Sequence, residues 1–300
     1  MGVPVKRSRR IRLLAVALLS MSLVVPLAAR STPTASAPVF QKISMKAPAW
    51  YTRAVQQKVI AAGAKGYRIP RGFTMPAAVG ITFLGIRPGH LILIFSADGT
   101  TISLCTSNFV FRNGANYAIG TAGHCGGVGD QVSMLTAPRV LVNIGTITRS
   151  TGDAGIGNDF ALISINPALN KLVSPSMAFW GGPTGPYPGP KAPLLIKHIG
   201  WGAGIGAGGT PRVGVGIYYS PTAYTFIGLI NLGDSGSGAE AGNGQAVGNI
   251  THISVGINDG RGLIHTAAGT SIQRILQIAG LPLATCSTVP WPGYGCPPKL

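Results

Sequence analysis

Carboxylates are scarce in this chain: its 300 residues hold seven Asp and Glu against 24 Lys and Arg, a formal net charge of +17. Chemistry that needs a carboxylate therefore has few places to look. None of the seven acids precedes Met75, whereas 13 of the basic residues do, six of them within residues 1–30. Residues 75–300 keep 11 basic residues and all seven acids, a net +4. The basicity thus belongs to the N-terminal end and does not mark a nucleic-acid surface, which needs cations clustered on the folded domain.

Cysteine is also sparse. The four present include no C-x-x-C pair, and the five histidines are scattered, which argues against a structural zinc site. Beyond residue 37 no apolar run is long enough to cross a bilayer. The glycine-rich "GAGIGAGG" at 202–209 has no βαβ pattern around it and reads as a surface turn.

Residues 1–37 read as an export signal. Lys6, Arg7, Arg9, Arg10 and Arg12 precede the apolar run Leu13 to Ala29, and Ala35-Ser36-Ala37 offers a small-residue cleavage site. Ser8-Arg9-Arg10-Ile11-Arg12-Leu13-Leu14 also resembles a twin-arginine signal, so both export routes stay open. The run is short and contains Pro26, which speaks against a membrane anchor. A secreted, extracellular protein is expected, with no membrane association once the signal is removed. In such a compartment four cysteines suggest two disulfides. Three connectivities exist, and Cys105–Cys125 with Cys286–Cys296 is the expected one.

Residues 38–77 carry the remaining basic excess and read as a propeptide or a stem, with one helix over about Ala49 to Ala62 closed by Gly63 and Gly66. From residue 78 short β-type runs bounded by turn residues follow one another: 91–97, 101–111, 117–120, 140–147, 160–165, 194–201, 213–219, 224–230 and 246–255. With 44 Gly, 23 Pro and 46% hydrophobic residues, this predicts a turn-rich all-β barrel or sandwich with a real core. "GGPTGPYPGPKAP" at 181–193 reads as a linker between a β unit at 78–180 and another at 194–280. A helix over Ser271 to Ala279 closes the second unit, and residues 281–300 form a tail that a disulfide would staple.

Three stretches place different reactive side chains beside β runs: "TAGHC" at 121–125, "NDFALI" at 158–163 and "GDSGSG" at 233–238. A serine hydroxyl is a weak nucleophile unless a histidine takes its proton, and a carboxylate best fixes that histidine's tautomer. Asp153 is an alternative acid, but its neighbours "TGDAGIG" read as a loop. His90, His198, His252 and His265 lack comparable surroundings and are assigned to surface or core.

Together, His124 with Cys125, Asp159 before an apolar run, and Ser235 in G-D-S-G-S resemble the chymotrypsin-fold, trypsin-like serine peptidases, in particular the secreted bacterial streptogrisin and alpha-lytic protease branch. The resemblance covers about residues 78–280. It implies two packed antiparallel Greek-key β-barrels with a short C-terminal helix, and a catalytic triad of His124, Asp159 and Ser235. It also implies an oxyanion hole from the amides of Gly233 and Ser235, and a disulfide joining Cys125 to Cys105 on the preceding strand. The expected activity is cleavage of protein or peptide substrates by a monomer, with no metal or other cofactor.

Two departures stand out. Ala239 follows Gly238 after the motif, and Asn231-Leu232 stands where the family often has a cysteine. Residues 226–232, "FIGLINL", contain no acid, so cleavage after Lys or Arg is not expected and an apolar or small side chain is. An α/β-hydrolase would require glycine at position 237, which is serine. A non-catalytic extracellular binding protein on the same fold is the alternative from a different class.

Overall fold

The computed structural model describes residues 39–42, 45–72, 85–202, 209–255 and 264–286. They belong to one compact unit, Pro38–Leu300. The proposed export signal lies outside the described residues, among which no helix is long and apolar enough to cross a membrane.

The described chain is built of short strands. Preceding the first β unit are β1 (Val39–Lys42), β2 (Met45–Lys46), helix α1 (Arg53–Ala62) and β3 (Tyr67–Arg68). The first unit holds β4 (Leu91–Phe95), β5 (Ile102–Thr106), β6 (Val110–Asn113), β7 (Asn116–Thr121), β8 (Gln131–Ala137), β9 (Val140–Ser150) and β10 (Ala161–Ile165). The second holds β11 (Leu195–Gly200), β12 (Thr210–Tyr219), β13 (Ala223–Leu229), β14 (Gly238–Ala241), β15 (Ala246–Val255) and β16 (Ile264–Ser271), followed by α2 (Ile272–Ala279).

In the second sheet the order β14-β11-β12-β13-β16 is closed by pairing of β15 with both β14 and β16. The result is a six-stranded barrel in which β14 returns beside β11, the Greek-key order. In the first sheet the order runs β2-β5-β4-β8-β9-β10-β7-β6, with β3 on β9. Here β7 lies beside β10, the same pattern read from the other end. Its strands wrap one core that includes Ile92, Cys105, Ile119, Val132, Ile144 and Ile163. The all-β expectation, with two Greek-key units and one C-terminal helix, agrees with this arrangement.

Burial explains the pattern of β4. "LILIF" is apolar throughout because both faces are covered. Ile92 and Ile94 join the core of the first sheet, while Leu91 and Leu93 join an outer cluster with Tyr51, Val59, Ile69, Leu135, Leu141 and Trp201. Much of that outer cover comes from the segment at 45–72. Tyr51 and Val59 are buried, and the Tyr51 hydroxyl donates to Ser133 Oγ at 2.8 Å. A third cluster joins the sheets, with Phe111 and Phe160 from the first unit meeting Ile199, Ile272 and Ile275 from the second. Helix α2 packs there because its buried positions Ile272, Ile275 and Ala279 share one face. Ser271 caps its start and left-handed Gly280 ends it.

The apolar run at 101–111 divides into β5 and β6, because it changes partner midway, from β4 to β7. Ser107 N donates to His90 O at 2.9 Å and Asn108 N to Gly120 O at 2.7 Å. Strands β8, β14 and β16 carry weak sequence signals, since buried Ser133, Glu240 and a run of small residues replace the usual branched side chains. The 181–193 stretch connects the two sheets and is itself fastened, with Tyr187 N donating to Ala246 O and Ala246 N to Gly185 O, each at 2.8 Å. Cys286 N reaches Pro183 O at 2.8 Å.

Candidate active site

His124 sits in a single 3-10 turn, Gly123–Cys125, directly after β7. The turn is pinned on both sides. The Cys105–Cys125 disulfide, Cα to Cα 6.3 Å, ties it to β5 inside the first core. Gly123 lies so close to the neighbouring loop that an added Cβ would meet Gly152 O at 2.4 Å. From this turn the imidazole Nδ1 lies 2.7 Å from Asp159 Oδ2, and the backbone amide of His124 donates to Asp159 Oδ1 at 3.0 Å. The other ring nitrogen, Nε2, is 2.8 Å from Ser235 Oγ.

Asp159 is fully buried at the mouth of β10, yet much of its grip comes from the second barrel. Its amide donates to Thr270 Oγ1 at 3.0 Å, and its carbonyl accepts from Thr270 Oγ1 at 3.2 Å and from Asn249 Nδ2 at 2.9 Å. Asn249 Nδ2 also donates to Thr121 O at 3.3 Å, and Asn249 Oδ1 accepts from the Thr270 amide at 3.2 Å. All the members of this network are buried, so satisfied partners make it rigid.

The loop bearing Ser235 bends twice through conformations that favour glycine, at Gly233 (φ 99°) and Gly236 (φ 85°). A Cβ at Gly236 would strike Thr106 O at 2.3 Å. β5 holds the loop from the first sheet: Thr106 N donates to Ser235 O at 2.8 Å and Thr106 Oγ1 to Gly233 O at 2.9 Å. Asp234 turns beneath the loop, accepting from Gly202 N at 2.7 Å and Asn231 N at 2.8 Å and pairing with Arg212. Burial raises its carboxyl above the ordinary range, and the Arg212 guanidinium and the two amides oppose that rise. Ser237 N donates to Asp234 O at 2.9 Å and Gly236 N to Ile250 O at 2.8 Å. The amides of Gly233 and Ser235 have no acceptor among the described residues.

The structure thus brings His124, Asp159, Ser235 and the Cys105–Cys125 bridge together. Cys296 lies outside the described residues, and with it the second expected disulfide. His252, set aside in the sequence, is a neighbour of the site: its ring is edge-on to His124 at 6.4 Å between centroids, and its Nδ1 lies 2.7 Å from Thr251 Oγ1. Position on the pleat, invisible in a lone histidine, puts it there. His90 and His198 are buried, and His265 is half-buried. Asn249, Thr270, Thr106 and Arg212 also went unrecognised, because single polar residues inside strands carry no motif.

Asn231 fills the place of the absent cysteine with a turn of its own, its Oδ1 accepting from Leu232 N at 2.7 Å. Ala239 is buried within β14 opposite Gly248. Asp153, Asp159 and His252 bring one ligand atom each within 4.8 Å of one another, a spacing a metal ion accepts. Both Asp159 oxygens are already engaged by His124, so the donor set fits the imidazole better than a cation. A cavity of about 340 Å³ adjoins His124 and Cys125, lined also by Ser103, Asp130 and Asp153.

No family model matches the chain, and no curated protein matches it. Among solved structures it is similar to Thermobifida fusca Protease A, with 21% identity over 68% of this chain and 98% of that one at a TM-score of 0.42. It is similar to an alpha-lytic protease homolog, with 20% identity over 66% and 98% of the two chains at 0.40. A glutamic acid specific serine protease aligns at 16% identity over 66% of this chain and all of its own, at 0.45.

Proposed function

We propose that the protein is a serine endopeptidase that cleaves protein or peptide substrates through an acyl-enzyme intermediate. One observation carries this reading: Asp159, His124 and Ser235 form a continuous hydrogen-bonded line, with 2.7 Å at one step and 2.8 Å at the other. Such a line lets Ser235 Oγ attack a carbonyl carbon as its proton passes to His124 Nε2. His124 then protonates the leaving amine, and water completes hydrolysis by the reverse path. Asp159, accepting from Nδ1, holds the tautomer that leaves Nε2 free to act as the base.

The amides of Gly233 and Ser235 are the donors for the developing oxyanion, each supplying about 3 kcal/mol in sites of this kind. Asp234, anchored by Arg212, Gly202 and Asn231, holds the turn that presents them. The apolar stretch 226–232 supports cleavage after an apolar or small residue rather than after Lys or Arg. The export-type N-terminus and the disulfide support action outside the cell.

A fluorophosphonate probe tests the reading. It labels Ser235 in the active protein, and Ser235→Ala abolishes both labelling and cleavage of a peptide library. Labelling at another residue, or undiminished cleavage by Ser235→Ala, would overturn it.

A further inference from the structure

Three of the chain's seven carboxylates are buried against a partner that carries or can take a positive charge: Asp159 with His124, Asp234 with Arg212 and Glu240 with Lys197. Asp259 lies outside the described residues. The other three gather at one hollow, the cavity of about 340 Å³ beside His124. Asp130 and Asp153 line it, and Asp98 is joined to the lining residue Ser96, whose Oγ donates to it at 2.6 Å. Among the described residues no Lys or Arg lines the hollow. Arg53 reaches the neighbouring Gly99, where an added Cβ would lie 3.4 Å from its Nη1, and tempers Asp98. In a chain of net charge +17 this gathering of acids runs against composition.

Both Asp130 oxygens are fixed, accepting from Ala97 N at 2.9 Å and from Gly127 N at 2.7 Å, and each keeps a second lone pair for a further donor. Asp130 is only 8% exposed, so solvent screens its charge weakly. One oxygen of Asp153 lies within 4.8 Å of ligand atoms of Asp159 and His252, which sets that charge close to the triad. Ile94 and the Cys125 half of the disulfide add apolar wall, and Ser103 adds a hydroxyl. A lysyl or arginyl side chain matches this combination, because its methylene stem lies along apolar surface while its cationic head seeks carboxylate and hydroxyl oxygens. The volume also suits, within the roughly 300–1,000 Å³ of ordinary ligand pockets.

We infer that this hollow is a subsite for a Lys or Arg side chain of the substrate, one or two residues away from the residue whose carbonyl Ser235 attacks, with Asp153 and Asp130 selecting the charge. The proposal rests on reading Ser235 as the nucleophile. Residues of an extended peptide advance by about 3.3–3.6 Å each, so a hollow that touches His124 serves the near neighbours of the cleaved bond. The apolar or small residue expected at the cleavage position is a separate matter, because the stretch 226–232 begins in β13 of the second sheet. The substrate class is then a peptide with an apolar or small residue at the point of cleavage and a basic residue beside it.

The test uses the full chain and peptides that carry Lys, norleucine or Glu at each of the two positions before and the two positions after an apolar cleavage residue. Mass spectrometry follows cleavage and confirms that the same bond is cut in each peptide. For the wild type, kcat/KM is expected to be roughly five-fold higher with Lys than with norleucine at one of these positions. That ratio should shrink towards one in about 0.5 M salt. Asp153→Asn should bring the ratio below about two, and Asp153→Lys should turn the preference towards Glu at the same position. A disturbance of the loop alone would lower kcat/KM for all three peptides alike. A thermal melt confirms folding, and if Asp153→Lys fails to fold, Asp153→Ser is read as Asp153→Asn is. A wild type that labels with the fluorophosphonate but shows no preference for Lys at any of the positions overturns the proposal and leaves the peptidase reading standing, as does a preference that Asp153→Asn leaves intact. If the wild type does not label, the nucleophile reading has failed and takes this one with it.

Discussion

One hydroxyl of Thr270 holds Asp159 from both sides, accepting from its amide at 3.0 Å and donating to its carbonyl at 3.2 Å. The acid leads into the first sheet and its clasp lies on the second, so the alignment of Asp159 with His124 and Ser235 depends on the seam between them. Thr270→Val keeps the shape and removes both bonds. We expect kcat for peptide hydrolysis to fall 10- to 100-fold with KM little changed, and stability to fall by about 1–3 kcal/mol. Asp159→Asn should cost about 10⁴ in kcat because the amide favours the wrong tautomer. Steady-state kinetics with a peptide substrate and a urea melt check both.

Arg212 is the cation beside the buried carboxylate of Asp234. Removing it alone, as Arg212→Met, leaves an uncompensated buried charge and should destabilise by about 3–5 kcal/mol. Adding Asp234→Asn should recover part of that loss. Equilibrium unfolding of the two single variants and the double variant gives the coupling.

Burial, reinforced by the charge of Arg212, pushes His198 down to about 3, so the folded protein holds this ring neutral. An unfolded histidine titrates near 6.5. The stability attached to this group is therefore complete above that value and drains away as pH falls towards 3, by about 1.4 kcal/mol per pH unit. His90, lowered in the same direction by burial and Arg87, steepens the loss. Urea unfolding at pH 7, 5.5 and 4.5 should show a shallower acid decline for His198→Gln than for the wild type, by about one proton.

The Cys105–Cys125 bridge closes a span of 20 residues around the turn that carries His124. Loop entropy predicts that Cys105→Ala/Cys125→Ala loses about 3 kcal/mol. Activity should drop further than stability explains, because the turn loses its tie to β5. A melt and a kinetic assay at a temperature where the variant is fully folded separate the two effects.

Much of the site was legible because the reactive residues stand in short, ordered motifs. Gly233 could be read with Ser235 as an amide donor, and Cys125 beside His124 as an anchor. The supporting shell was not legible. Asn249 and Thr270 act across a seam between strands 80 or more positions further along the chain than β10, and nothing local marks them. The role of residues 45–72 was hidden for a related reason. Tyr51 and Val59 are apolar residues in a basic, helix-like stretch, and only the second face of β4 shows what they cover. Strand β14, "GAEA", escaped notice because its Glu240 is buried, against the usual behaviour of that residue.

That second face of β4 has a practical consequence for handling the protein. A chain trimmed to begin at residue 78 would lack Tyr51, Val59 and Ile69, baring Leu91, Leu93, Leu104, Leu135 and Leu141 as one greasy patch. Such a surface invites self-association. The trimmed form should precipitate or form soluble aggregates on a sizing column, whereas a chain that retains residues 45–72 stays dispersed.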